Sequence, residues 1–98
     1  MSQVQNISNI SDSYSLSQNY PNPFNPSTTI GFSIRNRGFV TLRVYDITGK
    51  EVKSLVNEYL ERGEYNVTFI AAGLSSGIYF YSLTTEDFRE TKSMILTK

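Results

Sequence analysis

The side chains of this sequence best suited to chemistry are its carboxylates: Asp12, Asp46, Glu51, Glu58, Glu61, Glu64, Glu86, Asp87 and Glu90. Two of them flanking a cleft, with their pKa values pushed apart, could do glycosidase work. All but Asp12 fall in predicted turns or at strand ends, and a sandwich this small has no room for such a cleft, so solvated turn charges are the better reading. Asp46 or the pair Glu86-Asp87 could touch calcium, yet no 1-3-5 spacing of oxygen ligands appears. Histidine and cysteine are both absent. That removes imidazole bases, thiol nucleophiles, disulfides and Cys/His zinc sites together. The many serines therefore lack a base to activate them. No cofactor or metal is expected, and catalysis is not.

Composition narrows the classes further. Positive and negative side chains balance to a net charge of zero, which indicates neither a nucleic-acid footprint nor an anionic-membrane patch. No run approaches the roughly 18 apolar residues of a membrane span, and no cleavable leader is visible, so any export signal the parent protein carries would lie upstream. The 98 residues suffice for one domain with a modest core.

The elements that must position any site read as strands. Residues 1–13 are rich in Ser, Asn and Gln and read as a flexible linker; the tripeptides beginning at Asn6, Asn9 and Asn66 match a glycosylation acceptor that recurs by chance. From Tyr14 the pattern has period two. Tyr14 and Leu16 alternate with serines, Thr28, Ile30, Phe32 and Ile34 form one apolar face, and Val40, Leu42 and Val44 form the next. Asp46-Ile47-Thr48-Gly49 predicts a tight hairpin to Glu51–Asn57, with Gly49 in a left-handed position. Glu58 to Gly63 would admit a single helical turn. Tyr65, Val67 and Phe69 alternate, Ile78 to Leu83 is apolar on both faces, and Phe88 to Lys98 is the last strand. Seven short strands with glycine or polar turns predict an all-β, Ig-like or fibronectin-like Greek-key sandwich over residues 14–98. The expected core is Ile30, Phe32, Leu42, Val44, Val67, Phe69, Tyr79, Phe80 and Met94. Tyr79, after Leu74 and Gly77, is spaced like a tyrosine corner or is an ordinary rim or core aromatic.

All three prolines fall in one stretch, Tyr20-Pro21-Asn22-Pro23-Phe24-Asn25-Pro26. Fixed φ, missing donors and restricted preceding residues exclude helix and central strand there. Asn22 and Asn25 are turn formers. An ordered connector is expected, with Tyr20 and Phe24 as apolar plugs.

Leu16 to Ile30, Val44-Tyr45-Asp46-Ile47-Thr48-Gly49-Lys50-Glu51-Val52 and Gly77-Ile78-Tyr79-Phe80-Tyr81 together resemble the type A C-terminal sorting domain of the type IX secretion system of Gram-negative bacteria. The resemblance runs over roughly Tyr14 to Lys98. It implies a small Ig-like sandwich at the end of a larger exported protein, recognised by the type IX translocon, with cleavage by its sortase-like cysteine protease. The cargo would lie N-terminal to it, cross the periplasm, and end on surface lipopolysaccharide or in the medium. The resemblance also gives recognition roles to Pro21, Asn22, Pro23, Phe24, Asn25, Pro26, Gly77, Tyr79, Lys92 and Lys98. Lys92 and Lys98 have a second, compatible reading as edge-strand gatekeepers.

Two rivals stand beside this reading. An accessory carbohydrate- or surface-binding module would present exposed coplanar aromatics, for which Tyr45, Tyr59 and Tyr81 are the candidates, although core or rim packing suits tyrosine better. An independent enzyme would need a titratable site. The expectation carried forward is a monomeric, non-catalytic recognition domain that binds no nucleic acid and inserts in no membrane.

Overall fold

The computed structural model describes residues 4–98, and among them there are strands and no helix. The strands are β1 (Val4–Ser8), β2 (Ser15–Leu16), β3 (Ser27–Ile34), β4 (Gly38–Tyr45), β5 (Glu51–Leu60), β6 (Gly63–Ile70), β7 (Gly77–Thr84) and β8 (Arg89–Leu96). They form two antiparallel four-stranded sheets, ordered β1-β6-β3-β2 and β5-β4-β7-β8. Setting β1 aside, the chain visits the sheets as an Ig-like sandwich does, with β2, β3 and β6 as strands A, B and E and β4, β7 and β8 as C, F and G. β1 lies beside β6, where strand D would be.

Alternation fixes which face each strand buries. In β3 Thr28, Ile30, Phe32 and Ile34 turn inward, and in β4 Val40, Leu42 and Val44 do. Their partners come from the opposite sheet, chiefly Val67, Phe69, Tyr81, Leu83, Met94 and Leu96. Phe32 stacks on Tyr65 with ring centroids 5.4 Å apart. Two register shifts between β4 and β5 act as bulges. The first lets Leu55 and Val56, neighbours in sequence, both be buried, as an inserted residue in a bulge allows.

Within the strands, the structure departs from the sequence reading in three places. Val4–Ser8, read as linker, pairs with β6. Polar composition excludes a core but not a backbone ladder, and the free edge of β6 supplies the partners. Arg62 then ties the following segment down, donating from Nε to the Ser11 carbonyl at 2.7 Å and from Nη2 to Asp12 Oδ1 at 3.2 Å. Gly63 makes the close approach possible, because a Cβ there would collide with the carbonyl oxygen of Ser8. Second, no helical turn forms at Glu58–Gly63, since β5 runs on to Leu60 and pairs with Phe39 and Gly38. Third, Phe80 is 37% exposed whereas Tyr81 is fully buried. β7 is central in its sheet, but among the described residues nothing covers the outer face of that sheet, so only alternate side chains reach the core.

Phe69 is the deepest aromatic of β6, in contact with Phe24 at 6.0 Å between centroids. Phe69→Ala should cost about 3–5 kcal/mol through lost transfer energy and the cavity left behind, measured as a fall in the urea midpoint at unchanged slope.

Candidate functional site

The proline segment does not stand off the sandwich. It lies along the outer edge of β8 and supplies the partners that this edge strand lacks. Phe24 N–H donates to the Ile95 carbonyl at 2.9 Å and the Phe24 carbonyl accepts from Thr97 N–H at 3.0 Å, forming a parallel bridge to Leu96. Asn22 Oδ1 accepts from Ile95 N–H at 2.9 Å. Gln18 Nε2 donates to the Ser93 carbonyl at 2.8 Å. Phe24 itself is 2% exposed, so its ring plugs the gap between the sheets. On its other side the segment joins β3 and β6: Tyr20 pairs with Thr29, and Ala71 N–H donates to the Pro26 carbonyl at 2.8 Å.

One hydroxyl anchors the entry to this segment. Tyr81 Oη accepts from Asn19 N–H at 2.9 Å and donates to the Ser17 carbonyl at 2.8 Å. Asn19, buried in turn, donates through Nδ2 to Thr28 Oγ1 at 3.1 Å and to the Pro21 carbonyl at 3.2 Å. Burial pushes the Tyr81 phenol up from its usual value. Tyr65 is raised for the same reason; its hydroxyl donates to the Glu61 carbonyl at 2.6 Å. Tyr79 does the same at the start of β7, with Oη donating to the Ser75 carbonyl at 2.7 Å. That is the tyrosine corner, at the turn from β6 into β7.

Gly77 lies opposite Leu96 and Tyr79 opposite Met94, so the structure brings Pro21 to Pro26, Gly77, Tyr79 and the stretch leading to Lys98 to one end of the sandwich. Pro21, Asn22, Pro23, Asn25 and Pro26 are exposed there, and Phe24 is not. Lys92 stands apart, opposite Tyr81, with its Nζ 3.2 Å from Glu90 Oε2. Tyr20, expected as a plug, is 81% exposed, because its backbone pairs with Thr29 while its ring points away. Gln18, Asn19 and Tyr81 were missed as site residues. The signal for Tyr81 was its place two residues after a corner tyrosine, on the inward face; Gln18 and Asn19 gave none beyond their place beside the prolines in the Leu16 to Ile30 block.

Among the described residues, the carboxylates and tyrosines that the two rivals would use are placed apart from one another. Among the described residues no three acidic side chains group so as to hold a metal ion. Asp46 Oδ1 accepts from Thr48 N–H and Thr48 Oγ1 and from Lys50 N–H, and the Thr48 hydroxyl leads in holding its pKa below the ordinary value. That carboxylate is spent on its own turn. Tyr81 is inside rather than on a platform, Tyr45 is half-buried, and Tyr59 meets Phe39 edge-on at 75°. A shallow depression of about 300 Å³ lies on the outer face of the β4-β7-β8 sheet, lined by Tyr45, Ile47, Phe80 and Arg89 among others.

The segment that clasps β8 opens the region that a known family shares. Residues 18–97 match the secretion system C-terminal sorting domain. The chain belongs to that family. It is a C-terminal sorting signal of type IX secretion, a family that is generally non-catalytic. As a sorting domain it works with the type IX machinery and an N-terminal cargo, toward export to the outer membrane or surface. No curated protein matches the chain.

Within the sorting domain, Tyr81→Phe leaves the Asn19 N–H and Ser17 carbonyl without their buried partner and should cost about 1–3 kcal/mol. The raised phenol also predicts a pH dependence. Below pH about 10, the unperturbed tyrosine value, both states are protonated and the contribution is complete. As pH rises through the raised folded value, the unfolded chain ionises first and stability is lost. Thermal melts should show this alkaline loss reduced in Tyr81→Phe, with the part due to Tyr65 remaining.

Proposed function

We propose that the domain is read by the type IX translocon as a folded surface rather than as a linear code, and that the surface is the seam between the proline segment and β8. The observation that supports this is the set of backbone and side-chain bonds joining Gln18, Asn22 and Phe24 to Ser93, Ile95 and Thr97, which unites the two ends of the family-matched region. Recognition contacts then come from exposed Tyr20, Pro21, Asn22, Pro23, Asn25 and Pro26, with Lys98 beside them. Phe24, Gly77 and Tyr79 act by fixing the shape. Lys92, held by Glu90, serves the edge. In this reading the domain has no enzymatic activity. It carries its cargo across the periplasm to the outer membrane, where the system's sortase-like cysteine protease cuts it off and the cargo is attached to lipopolysaccharide or released.

The test fuses the full chain, with β1 in place on β6, behind a periplasmic reporter in a type IX-competent host. The reporter should reach the surface or medium. Replacing Pro21, Pro23 and Pro26 individually by Ala, in variants shown to fold by circular dichroism, should reduce export severalfold, whereas Lys92→Gln should leave it unchanged. Export that survives deletion of the whole domain would exclude the sorting role. Export unaffected by every folded proline variant would move the recognition surface elsewhere.

A further inference from the structure

Sheet edges are where a β-domain is most exposed to pairing with another copy of itself. The outer edge of β8 has two unlike halves. Arg89, Glu90 and Lys92 charge the first, and the Glu90–Lys92 ion pair sits half-buried on the core-facing side. Inward-pointing charge of this kind is a way natural edges discourage an added strand. The second half, Ser93-Met94-Ile95-Leu96-Thr97, has no charge and reads as a good pairing strand. Among its edge groups are the Ser93 carbonyl, the N–H and carbonyl of Ile95, and the N–H of Thr97. Those are the groups that Gln18, Asn22 and Phe24 occupy.

We infer that Gln18 to Phe24 is an edge guard: in place, it keeps the chain monomeric, and its release opens Ser93 to Thr97 to antiparallel pairing with β8 of a second copy. The bridge from Phe24 to Leu96 shows that this edge takes an extended chain. A second copy fits by symmetry. With the two-fold axis at Met94, Ser93 lies opposite the second copy's Ile95 and Thr91 opposite its Thr97. Residues whose backbone groups point off the edge then meet residues of the same kind, so donors and acceptors pair reciprocally in an isologous interface. The same register sets Glu90 opposite the second copy's Lys98, opposite charges across the pair. This guard role is independent of the sorting reading and would hold in a chain that is never exported.

The test uses the full chain with Gln18→Ala and Asn22→Ala together. Both side chains are exposed, so the core is left intact while the side-chain bonds that flank the Phe24 backbone bonds are removed, freeing the segment to lift from the edge. At low concentration the Ile95 amide should exchange about tenfold faster, the equivalent of one lost hydrogen bond. On raising concentration, light scattering after gel filtration should show a dimer that the unaltered chain does not form. Asn22→Asp alone, which keeps an acceptor for Ile95 N–H, should behave as the unaltered chain. Adding Ser93→Pro to the double variant removes an edge donor without touching the β7 ladder, and should restore the monomer. The inference is overturned if Ile95 exchange is unchanged, if the double variant exchanges faster yet stays monomeric, if its dimer survives Ser93→Pro, or if the unaltered chain already dimerises through β8.

Discussion

A segment carrying three prolines within six residues cannot satisfy its own backbone, and the structure depends on where those groups find partners. Proline removes donors, so the segment contributes chiefly carbonyls and the few remaining N–H groups. β8 has the complementary shortage, since one of its edges faces no strand. The seam joins the two deficits. Phe24 is the residue common to both, with its ring in the core against Phe69 and its backbone bonded to Ile95 and Thr97. Tyr81 then fixes the start of the segment from the opposite sheet through the hydroxyl it shares with Ser17 and Asn19. Burying that hydroxyl without partners would be costly, and sharing it between a donor and an acceptor removes the cost.

Much of the fold was legible because period two is a direct record of which face is dry. Ile30, Phe32, Leu42, Val44, Val67 and Phe69 were placed in the core by alternation alone, and they are there. Phe80 and Tyr81 show where that record fails. In a run apolar on both faces, alternation does not say which set points inward, and only the uncovered outer face of the sheet decides it. β1 was hidden for a different reason. It is held by ladder bonds to β6 and by Arg62, and backbone pairing leaves little trace in side-chain composition.

The site was half legible. Proline spacing identified an ordered connector, and Phe24 could be named as an anchor, but the partner of that connector is some seventy residues away in sequence, as in the bond from Asn22 to Ile95. No local pattern announces a contact at that separation. Tyr79 was weighed as a corner or a rim aromatic; its bond to the Ser75 carbonyl decides for the corner. Lys92 was read alike as gatekeeper and contact, and it lies with its Nζ 3.2 Å from Glu90 Oε2 on the inner face of an edge strand. A sorting domain whose identifying segment is stitched to its last strand has a surface that exists only when the whole chain has folded.

The most direct measurement of that claim is NMR scalar coupling across the hydrogen bonds of the seam. Coupling from Phe24 N to the Ile95 carbonyl carbon, and from Thr97 N to the Phe24 carbonyl carbon, should appear in the same spectrum as the couplings of the β7–β8 ladder. Ladder couplings present with both seam couplings absent would contradict the account, because the proline segment would then be a loop lying near β8 rather than the strand's missing partner.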